Sequence, residues 1–161
     1  MTSADGVFQQ ALSKMLIEIF DGPPGQEAYV LNPGDQGLLR QLDSIDAKTA
    51  SSHGVPGKPS VAAHVDHLHV GLAALNRWAA GEPNPWAGVD WNASWKRNTV
   101  SDDEWKALRD DLKRDVSRWR QAVAARATWD GMAASAALST AAHTAYHLGA
   151  IRQILAALRQ S

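Results

Sequence analysis

Apolar side chains recur along much of this chain at every third or fourth position, the spacing that places them on one face of an α-helix. The first such stripe runs through residues 7–20 and ends at the helix-breaking run "DGPPG". No segment alternates apolar and polar residues as a half-buried strand would. The pattern therefore predicts a first helix with this apolar stripe: Val7, Phe8, Ala11, Leu12, Met15, Leu16, Ile19 and Phe20.

Three further long helices follow from the same spacing and from their start signals. A second helix is predicted to begin after Pro59, with Ser60 as its cap, and to run to about residue 80. Ser101 and Glu104 form a capping box that opens a third helix. A fourth is predicted over residues 132–158, and residues 35–52 indicate one or two short helical pieces.

The third helix has the most regular stripe, close to a heptad repeat, with charged residues at most other positions. Four long amphipathic helices in one domain predict an all-α four-helix bundle covering residues 1–161, with short extra helical pieces between the first and second long helices. The stripe of the third helix consists of Trp105, Leu108, Leu112, Val116, Trp119 and Val123.

Length and charge narrow the class of protein. A chain of 161 residues is long enough for one domain with its own core. Its 16 basic and 17 acidic residues leave a net charge of −1, without the basic excess typical of nucleic-acid or anionic-membrane binding. No apolar run reaches the length of a membrane span, and the start lacks a basic signal region, so a soluble cytoplasmic protein is expected.

The fourth helix carries a histidine pair within the sequence "HTAYH". His143 and His147 are four residues apart and share one helix face, as two metal ligands would. Thr144 follows the first histidine, where the zinc-protease motif needs a glutamate, so that chemistry is excluded. Arg152 and Arg159 lie nearly opposite the pair on a helical wheel. The pair is therefore predicted to face the bundle interior.

The second helix holds three more histidines. His67 lies on the apolar face, and His64 lies about 60° round the helix, still within the apolar arc. His69 falls on the polar side with Asp66 and is expected to be a solvated surface residue. His53, in the loop before this helix, shows no feature that suggests a function.

Two helices that both direct histidine inward predict a shared metal ion. Burying an imidazole without a partner costs on the order of 1–3 kcal/mol, and a metal ion removes that cost by binding one nitrogen of each ring. Three imidazoles with an open position are typical of a reactive metal, because closed structural sites usually have four protein ligands. The alternative is a set of hydrogen-bonded core histidines. On helix geometry alone, either His64 or His67 could join the pair.

The segments "SVAAHVDHL" and "AHTAYHLGAI" resemble the DinB/YfiT-like four-helix-bundle proteins, whose last helix ends in an "HxxYHxGQI" motif. The resemblance extends loosely over nearly the whole chain. It implies a three-histidine metal site formed by His67, His143 and His147, and only its register ranks His67 above His64. Ala150 stands where the family often has glutamine.

The resemblance also implies the metal and the chemistry. Nickel or zinc is expected, and three imidazoles suit both ions, whereas calcium and magnesium prefer oxygen ligands. Some relatives are thiol-dependent S-transferases or isomerases, which implies a small-molecule substrate and a low-molecular-weight thiol. The alternatives are a metal-dependent hydrolase and a non-catalytic metal-binding or stress-related interaction protein. Asp66 and Tyr146 are candidates for a general base, or else a surface carboxylate and a core tyrosine.

The connection of about twenty residues between the second and third long helices has no helical periodicity. Such loops in compact domains are often functional. Its tryptophans, Trp86, Trp91 and Trp95, are expected to cap the core, form a lid or contact a partner. The resemblance implies a homodimer, and the third-helix stripe with Trp105 and Trp119 offers a seam for it.

Overall fold

The computed structural model describes residues 3–159, and within that range the chain forms six α-helices, four of them long, one 3₁₀ turn and no strand. The all-α prediction is confirmed. None of the described helices combines the length and apolar character that crossing a bilayer requires. The helices are α1 (Ala4–Asp21), α2 (Leu38–Asp43), α3 (Ala47–Ala50), α4 (Val61–Ala79), α5 (Asp102–Ala125) and α6 (Gly131–Leu158), and the 3₁₀ turn is Ala93–Trp95.

The helices begin where capping residues satisfy their first backbone N–H groups. Ser60 accepts a hydrogen bond from the backbone of Ala63 at the start of α4, at 3.2 Å. At the start of α5, Ser101 and Glu104 form the predicted capping box, each side chain accepting from the other residue's backbone N–H. Asp130 caps α6 by accepting a hydrogen bond from the backbone N–H of Ala133, at 2.8 Å. The predicted starts of the second and third long helices are confirmed.

The stripe of α5 is buried within the chain itself. Trp105 and Trp119 are each only 2% exposed, and the indole N–H of Trp105 donates to the carbonyl of Ile45 between α2 and α3. Because α5 packs against α4 more extensively than against any other described helix, α4 covers part of this stripe. The seam is therefore used by the core and is not available to a second copy. The expected homodimer stays a prediction, and the α5 stripe no longer supports it.

A buried carboxylate fixes the chain after α1. Glu18 accepts hydrogen bonds from the backbone N–H groups of Tyr29, Val30 and Leu31, at 3.0, 2.6 and 2.6 Å. Burial alone would raise the pKa of this carboxyl, but the three hydrogen bonds outweigh it, and the pKa lies below its usual value. Glu18 thereby holds the segment that leads from α1 into α2.

Candidate metal centre

Helices α4 and α6 bring three histidines together. One ring nitrogen each from His67, His143 and His147 lies within 4.8 Å of the other two, close enough to hold a metal ion. His67 and His147 are buried, at 9% and 1% exposure, whereas His143 is exposed at the edge of the group. The prediction that the whole α6 pair faces the interior is therefore wrong for His143.

The composition of α6 explains this difference. Small residues, mostly alanine, surround much of the helix, so the wheel has no sharp boundary between its faces. Its buried stripe includes Thr144, His147 and Leu148, and this places His143 at the rim. Tyr146 is 70% exposed and touches the edge of His147 with ring centroids 5.1 Å apart, so the expectation of a core tyrosine is also wrong.

The orientation of the His67 ring is fixed by Ser94, a buried residue of the 3₁₀ turn. The Ser94 hydroxyl lies 2.7 Å from the carbonyl of Trp91 and 2.8 Å from Nδ1 of His67. A carbonyl only accepts, so the hydroxyl proton goes to Trp91 and the Ser94 oxygen accepts from the Nδ1–H of His67. A neutral imidazole has one N–H, so the lone pair of His67 is on Nε2, where a metal could bind.

His147 lies between two other imidazoles. Its Nε2 is 2.9 Å from Nε2 of His143, and its Nδ1 is 2.8 Å from Nδ1 of His64. The contact between His143 and His147 needs a cation or a proton between the two Nε2 atoms, because two lone pairs would repel each other. His64 is outside the group of three nitrogens and bonds the far side of the His147 ring. Outer partners that orient metal-ligating histidines occupy this position.

The group is uncharged at neutral pH. Burial, reinforced by repulsion from the neighbouring histidines, lowers the pKa of His67 to about 4 and that of His147 to about 3. Burial also lowers the pKa values of His64 and His143. Because a metal binds neutral imidazole, all four rings are already in the protonation state that binding requires.

Tryptophans of the 81–100 connection cover one side of the group. Trp95 stacks on His67 with ring centroids 4.2 Å apart and planes inclined by 23°, and its edge meets His64. Trp91 lies 5.7 Å from His67, centroid to centroid, and is partly exposed. The sequence marked this connection by its tryptophans, but nothing in it indicated that Ser94 would bond His67.

Two polar residues of α4 differ from the sequence expectation. Asp66 is buried, its pKa is raised by that burial, and its carboxylate lies 3.3 Å from Arg97, so it is not a surface carboxylate. His69 is half-buried and its Nδ1 lies 2.8 Å from Asp115 of α5, which raises the pKa of His69. His69 is thus paired rather than solvated, because α5 places a buried carboxylate opposite it. His53 is exposed and lies outside the three-histidine group.

No protein-family model, curated protein or solved structure matches this chain. The geometry contributes a separate observation that does not depend on any relative. Three neutral imidazoles from two neighbouring helices converge at a distance compatible with metal binding.

Proposed function

We propose that this chain is a DinB/YfiT-like four-helix-bundle protein that holds a divalent transition-metal ion through His67, His143 and His147. The observation that carries the proposal is the convergence of one nitrogen from each ring within 4.8 Å. The hydrogen bonds made by Ser94 and His64 on the far sides of two of these rings support it, because such bonds orient ligands toward an ion.

The donor set suits a transition-metal ion, and the family resemblance narrows the proposal to nickel or zinc. All three candidate ligands are imidazole nitrogens, which suit zinc, nickel, copper, cobalt and iron, and the sequence contains no cysteine that could add a thiolate. Within residues 3–159, the three-histidine group contains no carboxylate. Calcium and magnesium prefer oxygen ligands, so this group does not suit them. Nickel and zinc are the two ions that the family resemblance implies.

The site is built for reaction rather than for structural closure, because it offers three protein ligands and one of them is exposed. When bound, the ion would supply Lewis-acid chemistry, such as activation of a thiol or polarisation of a carbonyl. The protein's own residues hold the rings, keep them neutral and exclude water with Trp95. We propose a transferase or isomerase reaction of a small molecule with a low-molecular-weight thiol.

This reaction is preferred over hydrolysis because the two candidate bases are poorly placed. Asp66 is engaged by Arg97, and Tyr146 is largely exposed, with only its ring edge touching His147. A thiol that binds a metal loses its proton through the metal and depends less on a protein base than water does. The chain has no cysteine of its own, so the sulfur would come from the cosubstrate.

Elemental analysis of protein purified without added metal tests the metal proposal, followed by calorimetric titration with nickel and zinc. We expect one ion per chain. Absence of any transition metal, with none taken up on titration, would refute the proposal. Thiol consumption with a panel of electrophiles then tests catalysis: metal-dependent turnover supports the enzyme, and full metal occupancy without turnover indicates a non-catalytic metal-binding protein.

A further inference from the structure

A cavity of about 300 Å³ opens beside His143, between α4, α6 and the 81–100 connection. Leu68, Leu72 and Leu75 of α4 form one wall, and Trp86 and Trp91 of the connection form another. These side chains present apolar surface to whatever enters. His143 is the one lining residue that also belongs to the three-histidine group, so the cavity adjoins that group.

Among residues 3–159, none of the side chains that line the cavity belongs to aspartate, glutamate, lysine or arginine. Its polar lining consists of His143 and the hydroxyls of Ser139, Thr140 and Thr144, all on α6. The Thr140 hydroxyl donates to the carbonyl of Ala136, 2.8 Å away, within the same helix. A charged group in this space would give up part of its hydration and gain no counter-ion from the lining residues, which is costly. An uncharged, apolar group would lose little and gain contact with leucine and tryptophan.

We propose that this cavity binds the uncharged, largely apolar part of the electrophilic substrate, an aromatic ring or short alkyl chain whose polar atom lies beside His143. The inference rests on the proposed function of the three-histidine group. A volume of 300 Å³ is at the small end of ligand pockets and corresponds to about ten water molecules of liquid, hence about ten non-hydrogen atoms. The thiol cosubstrate would approach from the exposed side of His143.

A substitution at Gly71 would fill the cavity without changing any of the three histidines proposed to bind the metal. A Cβ added at Gly71 would lie 3.9 Å from Cζ3 of Trp91, an ordinary contact, so a leucine side chain would extend into the cavity. Gly149 on α6 is the matched control, because a Cβ there meets nothing within 4 Å and Gly149 does not line the cavity. Ser139→Leu blocks the opposite wall and serves if Gly71→Leu fails to fold.

The probe is 4-fluorobenzyl alcohol. Its binding to the protein as purified is measured from the broadening of its fluorine NMR signal. We expect wild type and Gly149→Leu to bind it alike, and Gly71→Leu to bind at least about tenfold more weakly because the added side chain occupies the space. With a chelator present, 4-fluorobenzoate should bind more weakly than the alcohol. Nickel affinity should be the same in all three proteins.

The outcomes separate the cavity from the metal. No binding of the alcohol to wild type, or equal binding to wild type and to a folded blocking variant, would overturn the cavity proposal even if nickel binds normally. Preferential binding of the benzoate in chelator would overturn the uncharged substrate class. A third outcome is that wild type binds the alcohol, the blocking variant does not, and wild type takes up no metal. That result would support the ligand cavity and refute the proposed metal function.

Discussion

The Nδ1 atom of His64 on α4 lies 2.8 Å from the Nδ1 atom of His147 on α6. If His147 binds an ion through Nε2, its proton must be on Nδ1, and it donates that proton to His64. Metal-ligating histidines usually donate to a carboxylate, a carbonyl or water. An imidazole partner orients the His147 ring in the same way but adds no negative charge to the site.

The ligand set makes the first prediction. Replacing His67, His143 or His147 with alanine should abolish nickel binding, because two imidazoles hold the ion much less firmly than three. Isothermal titration calorimetry measures the loss. His53→Ala is the control, since His53 is exposed in a loop, and its nickel affinity should equal that of wild type. Retained affinity in any of the three ligand variants would remove that residue from the site.

The second prediction concerns His64 and Ser94, which form hydrogen bonds to the rings of His147 and His67. His64→Ala and Ser94→Ala should each weaken nickel binding about 10–100-fold without abolishing it, because His147 and His67 lose the bonds that orient them. His64→Asn should recover part of the affinity, since its amide oxygen can accept in place of Nδ1. If His64→Ala were as damaging as His147→Ala, His64 would be a fourth ligand rather than a positioning residue.

The third prediction concerns His69. His69→Ala should leave nickel affinity unchanged, because His69 lies outside the three-nitrogen group. It should lower the free energy of unfolding by about 1–3 kcal/mol, because the buried carboxylate of Asp115 loses its closest partner and is left with the Asn76 amide, 3.5 Å away. Urea unfolding of the metal-free proteins measures the change. Unaltered stability would mean that the pair between α4 and α5 contributes nothing net.

The fourth prediction concerns the change in Tm when the metal is removed. Binding to the native state stabilises it by about 2.7 kcal/mol at a hundredfold excess of ion over Kd, so a chelator should lower the Tm of loaded wild type by about 5–10 °C. The protein should stay folded, because the core of leucine, isoleucine and tryptophan side chains is independent of the ion. His143→Ala should show no chelator effect.

Calorimetric melting curves, with metal content verified on each sample, measure this effect. An unchanged Tm after confirmed removal of the ion would count against the site. Complete unfolding on chelation would make the ion structural, and the case for an open, reactive position would be lost.

The fifth prediction concerns Glu18 and the pH dependence of the free energy of unfolding. Its pKa in the folded protein is below the ordinary value of 4.5, so the unfolded chain takes up the proton first as pH falls. The stability from Glu18 is fully present above pH 4.5 and is lost as pH falls through the folded pKa. Glu18→Gln should cost about 1–3 kcal/mol at pH 7 and flatten the stability profile below pH 4.5.

Urea unfolding between pH 7 and pH 3 tests the Glu18 prediction. Glu27→Gln is the matched control, because Glu27 is exposed and its salt bridge with Lys14 joins two solvated side chains. Identical profiles for Glu18→Gln and wild type would show that the hydrogen bonds to the 29–31 segment carry no pH-dependent stability.

The helices could be predicted from the sequence because their determinants are local. Apolar spacing and the caps at Ser60 and Ser101 act within one or two turns, so each helix start is readable without knowing its neighbours. The shared face of His143 and His147 follows from a separation of four residues in any α-helix. The sequence by itself therefore determined the all-α class and the existence of a histidine pair.

The tertiary structure decided how the pair is used. Which of His64 and His67 joins the three-nitrogen group depends on the rotation of α4 against α6, and their apolar arcs are too broad to set it. The alanine-rich surface of α6 likewise left the exposure of His143 undetermined. Ser94 reaches His67 through an aperiodic connection whose path is fixed only by packing. Such pairings depend on helix rotation and on loop path, which local spacing does not specify.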